Sequence, residues 1–299
     1  MNLKTTNSRE DIPEAGMVSS IRDALDWADK CLSGAGINTP RRDAEVLLSH
    51  VTGIETIFLY LDALKEIDGG RMAVYKDMIE QRSQRIPLDY IRGYADFMGM
   101  KIEVGRDTLV PRPETELLVE KALEILSVKQ CADVLDIGTG SGNIALALAK
   151  MSGCRVLAIE KSAAAAGIAE KNAVRNGLQD KIVIAIVSME DYFANTHTQK
   201  FDMIVSNPPY VKETEYSELE KEVKEEPREA LVAGIDGLIY IRMILENSMG
   251  LLKPGGSVFI EIGYGQKDEV EQIAVKAGYT KRSFIKDYSG IYRILSVSI

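Results

Sequence analysis

The stretch ADVLDIGTGSGNIALALAKM, residues 132–151, sets a short apolar run against a glycine-rich loop and then an Ala/Leu-rich run at helical spacing. A strand that passes straight into a helix through alternating glycines opens a strand–helix–strand fold. The alternation continues through RVLAIE, a helix over AAAAGIAEKNAVRN, KIVIAIV and FDMIVSN. Strands that are apolar throughout and separated by helices are covered on both faces, which predicts a mostly parallel sheet binding its ligand at the strands' carboxyl ends. The chain closes with GSVFIEIG, a helix over 267–277, and two strand-like runs, KRSFIKD and YRILSVSI, joined at Tyr288-Ser289-Gly290. That terminal hairpin separates the sheet from the ordinary dinucleotide-binding pattern.

Upstream the period changes. From Val18 to about Arg85 apolar residues recur at helical spacing, as in IRDALDWADKCL and RRDAEVLLSHVTG, with breaks at Gly34, Gly36 and Pro40 and again at Gly69-Gly70. The expected organisation is a polar tail over 1–17, a small all-helical domain over 18–86, a connector hairpin over 87–112 and an α/β domain over 113–299.

Composition narrows the function classes. A net charge of −9 opposes a protein whose main partner is a long nucleic acid, because such binding draws on a surplus of Lys and Arg. The opening residues lack an apolar leader core and no run approaches a membrane span, so a cytoplasmic protein is expected. Cys31, Cys131 and Cys154 are widely spaced and fit neither a disulfide framework nor a zinc site. His50 and His197 lack the neighbours of a catalytic triad and read as structural.

The strand ends carry the chemistry. In DIGTGSG, Asp136 to Gly142, Gly138, Gly140 and Gly142 let the backbone pass close to a ligand, with Thr139 and Ser141 between them. Position 143 is Asn where a nicotinamide fingerprint has glycine, and no G-K-[ST] follows, so nicotinamide chemistry and nucleotide hydrolysis are disfavoured. Glu160 ends the next strand, where a carboxylate accepts both hydroxyls of an unphosphorylated ribose. Asp191, Tyr192 and Phe193 follow the third strand and offer an acceptor and an aromatic edge to adenine. The alternative for them is a helix cap with core aromatics.

After the fourth strand comes SNPPYV, 206–211. A planar NH2 conjugated to a carbonyl or a ring is a poor nucleophile and must be held still. The Asn207 side-chain oxygen and the Pro208 carbonyl can each accept one of its N–H groups, Pro208-Pro209 fix the backbone, and the Tyr210 ring can lie against the planar group. Its negative face also suits a sulfonium methyl. The requirement is in-line transfer of a methyl group to a planar amine, without metal or dedicated base. Glu261, at a strand end, can influence the pocket's charge. Arg112 is open between a ligand contact and an ion pair, and the acidic run 213–229 between a solvated face and a lid.

In order along the chain, AGINTPRRDAEVLLSHVTG, PLDYIRGYADFMG, LVPRPETELLVE, DIGTGSGNIALALA, SNPPYV, EEPREALVAGIDGL and KDYSGIYRIL resemble the S-adenosylmethionine-dependent glutamine-N5 methyltransferases of peptide chain release factors. The resemblance spans nearly the whole chain. It implies a seven-stranded methyltransferase sheet with a terminal antiparallel hairpin, and a helical domain that recognises substrate. It places Gly138, Gly140, Gly142, Glu160 and Tyr192 around S-adenosyl-L-methionine and Asn207 to Tyr210 around the glutamine of the release factor's Gly-Gly-Gln loop, with S-adenosyl-L-homocysteine as product. Family members usually carry Asp at position 160 and often Trp at 192, so Glu160 and Tyr192 bear on affinity. NPPY alone also occurs in adenine-N6 methyltransferases, and a non-catalytic module that binds the cofactor is a further alternative.

Overall fold

The computed structural model describes residues 19–129 and 131–299, so the expected tail over 1–17 lies outside the described residues. The chain divides into two compact units, the second beginning at Gly93.

The first unit runs β1 (Ser19–Ser20), α1 (Ile21–Gly34), α2 (Pro40–Thr52), α3 (Thr56–Leu59), β2 (Glu66–Ile67), α4 (Gly69–Ser83) and α5 (Leu88–Arg92). Ser20 caps α1: its hydroxyl accepts the Asp23 N–H at 3.2 Å while the Asp23 carboxylate accepts the Ser20 N–H at 3.3 Å, a reciprocal cap worth about 1 kcal/mol. The helix then buries Ile21, Ala24, Leu25, Ala28 and Leu32, one apolar stripe at helical spacing. Tyr75 of α4 is fully buried in the same core and donates its hydroxyl to Ala44 O of α2 at 3.0 Å. A buried Arg82–Asp43 ion pair at 2.7 Å joins the same two helices. Two details depart from an all-helical reading: β1 pairs with β2, and α5 occupies residues that the sequence pattern gave to the connector.

The second unit opens with the hairpin β3 (Tyr94–Phe97) and β4 (Met100–Glu103), followed by α6 (Pro113–Leu126). Then come β5 (Asp133–Ile137), α7 (Asn143–Ser152), β6 (Arg155–Glu160), α8 (Ala163–Arg175), β7 (Ile182–Ile186), α9 (Met189–Ala194) and β8 (Phe201–Ser206). The chain ends with α10 (Ile239–Ser248), β9 (Leu252–Glu261), α11 (Lys267–Lys276), β10 (Lys281–Lys286) and β11 (Tyr292–Ser298).

These strands form the expected seven-stranded sheet, ordered β10-β11-β9-β8-β5-β6-β7. β5 to β9 run parallel, and β11 and β10 add the antiparallel hairpin at one edge. From β5 the chain moves one way through β6 and β7, then returns to the other side of β5 with β8. The crevice of a doubly wound sheet opens at such a reversal, above the carboxyl ends of the strands. Leu135, Ile137, Ile204, Val258 and Ile260 are at most 1% exposed and form the floor beneath it. At the opposite ends of the strands, Lys253 bridges Asp133 at 2.7 Å and Asp202 at 2.8 Å, pinning β5, β8 and β9 together. Among the described residues no helix is long and apolar enough to cross a membrane.

Candidate active site

The glycine loop owes its shape to its backbone. Gly138 and Gly140 have φ of 71° and 56°, a left-handed region costly for residues with a Cβ. The Gly138 and Thr139 N–H groups both reach Ile159 O, at 2.9 and 3.1 Å, which lashes the loop to β6. Gly142, with φ of 83°, meets a second demand as well: a Cβ there would lie 3.2 Å from both Ala169 Cβ and Leu146 Cδ1, so its absence lets α7 and α8 approach. Beneath the loop, Asp136 is fully buried and accepts the Thr139 hydroxyl at 2.6 Å. Burial pushes its carboxyl up to about 7 against the pull of that hydroxyl.

Glu160 ties the loop to the next strand end. Its Oε2 accepts the Gly140 N–H at 3.0 Å and its Oε1 the Ser162 N–H at 2.9 Å, so the carboxylate is fixed while each oxygen keeps a lone pair to offer. Asn172 of α8 braces the loop from behind, donating to Ser141 O at 2.9 Å and Glu103 O at 3.0 Å and accepting the Glu103 N–H at 2.8 Å. Ser141 itself is 2% exposed, and its hydroxyl finds no hydrogen-bond partner among the described residues.

Above these strand ends lies an open cleft walled by Gly138 to Ser141, Ile159, Glu160, Val187, Met189, Glu190, Asn207 and Pro209. Asp107 to Leu109, Pro111, Pro227, Glu229, Ala230 and Tyr240 close the remaining sides.

Asp191 and Tyr192 are not among the residues that wall this cleft. Ser188 caps α9: its hydroxyl accepts the Asp191 N–H at 3.0 Å and donates to one oxygen of the Asp191 carboxylate at 2.8 Å. Tyr192 turns inward, 6% exposed, with its ring stacked on His197 at a centroid distance of 4.0 Å. Met189 and Glu190 face the cleft instead. The pattern Ser188-x-x-Asp191 is the sequence signal of this cap.

The corner after β8 is anchored on several sides. Ser206 donates its hydroxyl to Ile137 O at 2.7 Å, joining the ends of β8 and β5. Asn207 and Pro209 reach the cleft, whereas Pro208 is buried. Tyr210 is anchored at two points: its hydroxyl donates to Glu261 Oε1 at 3.3 Å and its carbonyl accepts Gln266 Nε2 at 3.0 Å. Asn207 Nδ2 donates to Thr115 Oγ1 at 3.1 Å, and Thr115 Oγ1 donates to Glu261 Oε2 at 2.7 Å. Glu261 is 1% exposed, and burial lifts its carboxyl to about 7 against the pull of Thr115, Tyr210 and Arg293. Burial and the Glu261 charge push the Tyr210 phenol up as well.

Sequence reasoning gave Glu261 only an influence on the pocket's charge and missed Thr115. The signal was present: Thr115 shares its helical stripe with Leu118, Val119, Ala122 and Leu126, a polar residue on an apolar face.

Arg112 is resolved as an ion pair. It contacts Glu226, whose second oxygen accepts the Val110 N–H at 3.0 Å. The LVPRP and EEPREAL segments are thereby joined, and Pro227, Glu229 and Ala230 come to the cleft. Lys161, just past β6, pairs with Glu229 at 2.9 Å.

Residues 23–93 match the PrmC N-terminal domain and residues 114–246 the Methyltransferase small domain. Among solved structures, the hMettl16 catalytic domain superimposes with a TM-score of 0.54 at 16% identity, over 76% of this chain and 81% of that one. A Pyrococcus furiosus methyltransferase gives 0.51 at 24% identity, over 73% and 98%. At these identities the likeness is one of fold. A release factor glutamine methyltransferase of Geobacter sulfurreducens is 36% identical over 92% of this chain and 95% of its own length. The Thermodesulfovibrio yellowstonii protein of the same name is 39% identical over 85% and 91%. With identity of that order running nearly end to end, through both the helical region and the sheet, this chain belongs to the release factor glutamine methyltransferase family.

Proposed function

We propose that this protein transfers a methyl group from S-adenosyl-L-methionine to the side-chain amide nitrogen of the Gly-Gly-Gln glutamine in peptide chain release factors, leaving S-adenosyl-L-homocysteine. The observation that carries the reading is the meeting of Asn207 with Glu160 and the 138–141 loop in one cleft, in a chain of this family.

The cleft's residues suit the cofactor. Glu160 has lone pairs free for ribose hydroxyls, the unpartnered Ser141 hydroxyl calls for a polar ligand group, and Ile159 and Val187 supply apolar wall for a purine. When bound, S-adenosyl-L-methionine supplies a sulfonium methyl that carries the electrophilic carbon.

The protein's own work is positional. Asn207 Oδ1 accepts one amide N–H of the substrate, and the Pro208 carbonyl, on a backbone stiffened by two prolines, takes the other. Both bonds hold the amide plane and draw electron density onto its nitrogen. An orientation fixed before reaction removes entropy from the barrier, the main lever available for so weak a nucleophile. After transfer the nitrogen is strongly acidic and loses its proton to water, so no dedicated base is needed.

Recognition of the release factor falls to the helical unit in this reading. The support is a run of exposed apolar side chains there, with Ile57, Leu61 and Leu64 each more than 70% exposed beside Phe58 and Tyr60.

The test is mass spectrometry of a purified release factor incubated with the protein and S-adenosyl-L-methionine, beside a control with the Gly-Gly-Gln glutamine replaced. A gain of one CH2 confined to that glutamine is expected. Methylation of adenine in nucleic acid instead would leave the planar-amine reading standing and remove the release factor from it.

A further inference from the structure

At the substrate corner, three polar side chains from separate elements form one connected line, of which Thr115 and Asn207 line the cleft. Thr115 stands in the first turn of α6, Glu261 ends β9, and Asn207 follows β8. A threonine hydroxyl has one proton to give. Glu261 Oε2 takes it at 2.7 Å, so Thr115 meets Asn207 only as an acceptor, and the Asn207 atom facing it is the NH2. Oδ1 is thereby turned the other way, without a hydrogen-bond partner among the described residues, on a side chain that lines the cleft. Tyr210 gives its hydroxyl to the second oxygen of the same carboxylate, so both polar ends of the corner converge on Glu261.

We infer that Glu261 is the positioning residue of this corner: acting through Thr115, it fixes the Asn207 amide with its oxygen toward the cleft. The inference rests on the methyl-transfer reading above, in which a planar NH2 must meet an acceptor. Glu261 itself touches no substrate. The carboxylate also faces Glu114 beside Thr115, Tyr210 from the corner and Arg293 from β11.

The line has a definite reverse. A side chain at 261 that donates to Thr115 frees the threonine proton for Asn207 Oδ1, and the asparagine then turns its NH2 to the cleft. Donor would face donor, and the substrate amide would be repelled. With its amide oxygen kept on the Tyr210 hydroxyl, Glu261→Gln presents NH2 to Thr115 and makes that reversal at nearly constant volume, Thr115→Val cuts the line, and Thr115→Ser preserves it.

The experiment measures kcat and KM on an intact release factor, with S-adenosyl-L-homocysteine affinity by calorimetry as the control. Glu261→Gln and Thr115→Val are each expected to lower kcat by at least about tenfold, the worth of one well-made hydrogen bond, while cofactor affinity stays within about twofold. Thr115→Ser is expected to restore most of the rate. Wild-type kcat in Glu261→Gln, or equal loss in the Ser and Val variants, overturns the inference.

Failure of the substrate reading shows differently, as a wild-type protein inert toward release factors. The line is then read from the Asn207 side-chain NH2 resonances in the homocysteine-bound protein. They move in Glu261→Gln and Thr115→Val and hold in Thr115→Ser if the line exists; if all three leave them unmoved, the inference falls.

Discussion

Glu160 and Gly140 share a hydrogen bond of 3.0 Å that makes the carboxylate proposed for the ribose also the clasp of the glycine loop. With Ser162 on its other oxygen, the side chain is an acceptor at both ends. Glu160→Gln turns one end into a donor against a backbone N–H. Calorimetry with S-adenosyl-L-homocysteine is expected to show about ten- to a hundredfold weaker binding, in line with about 1–3 kcal/mol for an unsatisfied polar group. An unchanged affinity would remove Glu160 from the binding site.

Asp191 and Glu190 are adjacent, yet only Glu190 reaches the cleft. Asp191→Asn is expected to leave cofactor affinity within about twofold, because the exposed cap it alters is worth about 1 kcal/mol of helix stability. Glu190→Ala is expected to lower affinity more than Asp191→Asn does. The opposite ranking, read by the same calorimetry, would return Asp191 to the adenine.

Glu226 is a buried carboxylate with Arg112 and the Val110 N–H as partners. Glu226→Ala leaves both unmet in a poorly solvated place, a loss of about 3 kcal/mol for a broken buried pair. Thermal denaturation is expected to show a clear fall in Tm, and turnover falls with it because Pro227 and Glu229 next along the chain help wall the cleft. Lys161→Ala breaks only the solvent-exposed pair with Glu229 and is expected to leave Tm almost unchanged.

Two buried acids set a pH dependence of stability. Burial raises Glu261 from 4.5 to about 7 and Asp136 from 3.8 to about 7. The folded state therefore holds these protons more tightly than the unfolded chain, and stability that is full below the unfolded values is lost as pH climbs toward 7. Glu261→Gln has no such proton to lose. Its melting temperature is expected to gain on the wild type as pH rises from about 5 to about 8, even as its turnover falls. A gap between the two that stays constant across that range would show that the carboxyl titrates normally.

The sheet was legible because its strands are apolar end to end, a pattern that helices seldom keep in runs so short. The loop at Gly138 to Gly142, Glu160 and Asn207 were legible because strand ends are where such sheets work. Thr115 and Asn172 were not, since each sits in a helix whose periodicity reads as ordinary packing and becomes meaningful only when a strand end 146 or a loop 31 residues away is brought beside it. The second part played by Asp191 was visible too, since a carboxylate three residues after a serine is the pattern of a helix cap. α5 was missed because five residues between Pro87 and Gly93 carry too little periodicity to outweigh their punctuation.

The orientation of Asn207 also bears on the chemical ageing of the substrate. Glutamine side chains deamidate slowly to glutamate, which differs by the replacement of NH2 with an oxygen. A glutamate presented to a corner that offers only lone pairs would set oxygen against oxygen, with no N–H to satisfy either. Sites built to receive a hydrogen-bond donor reject analogues lacking it by about 10^4-fold or more. On the proposed reading the corner would bind the intact glutamine in preference to its hydrolysed form, which in any case has no nitrogen to methylate.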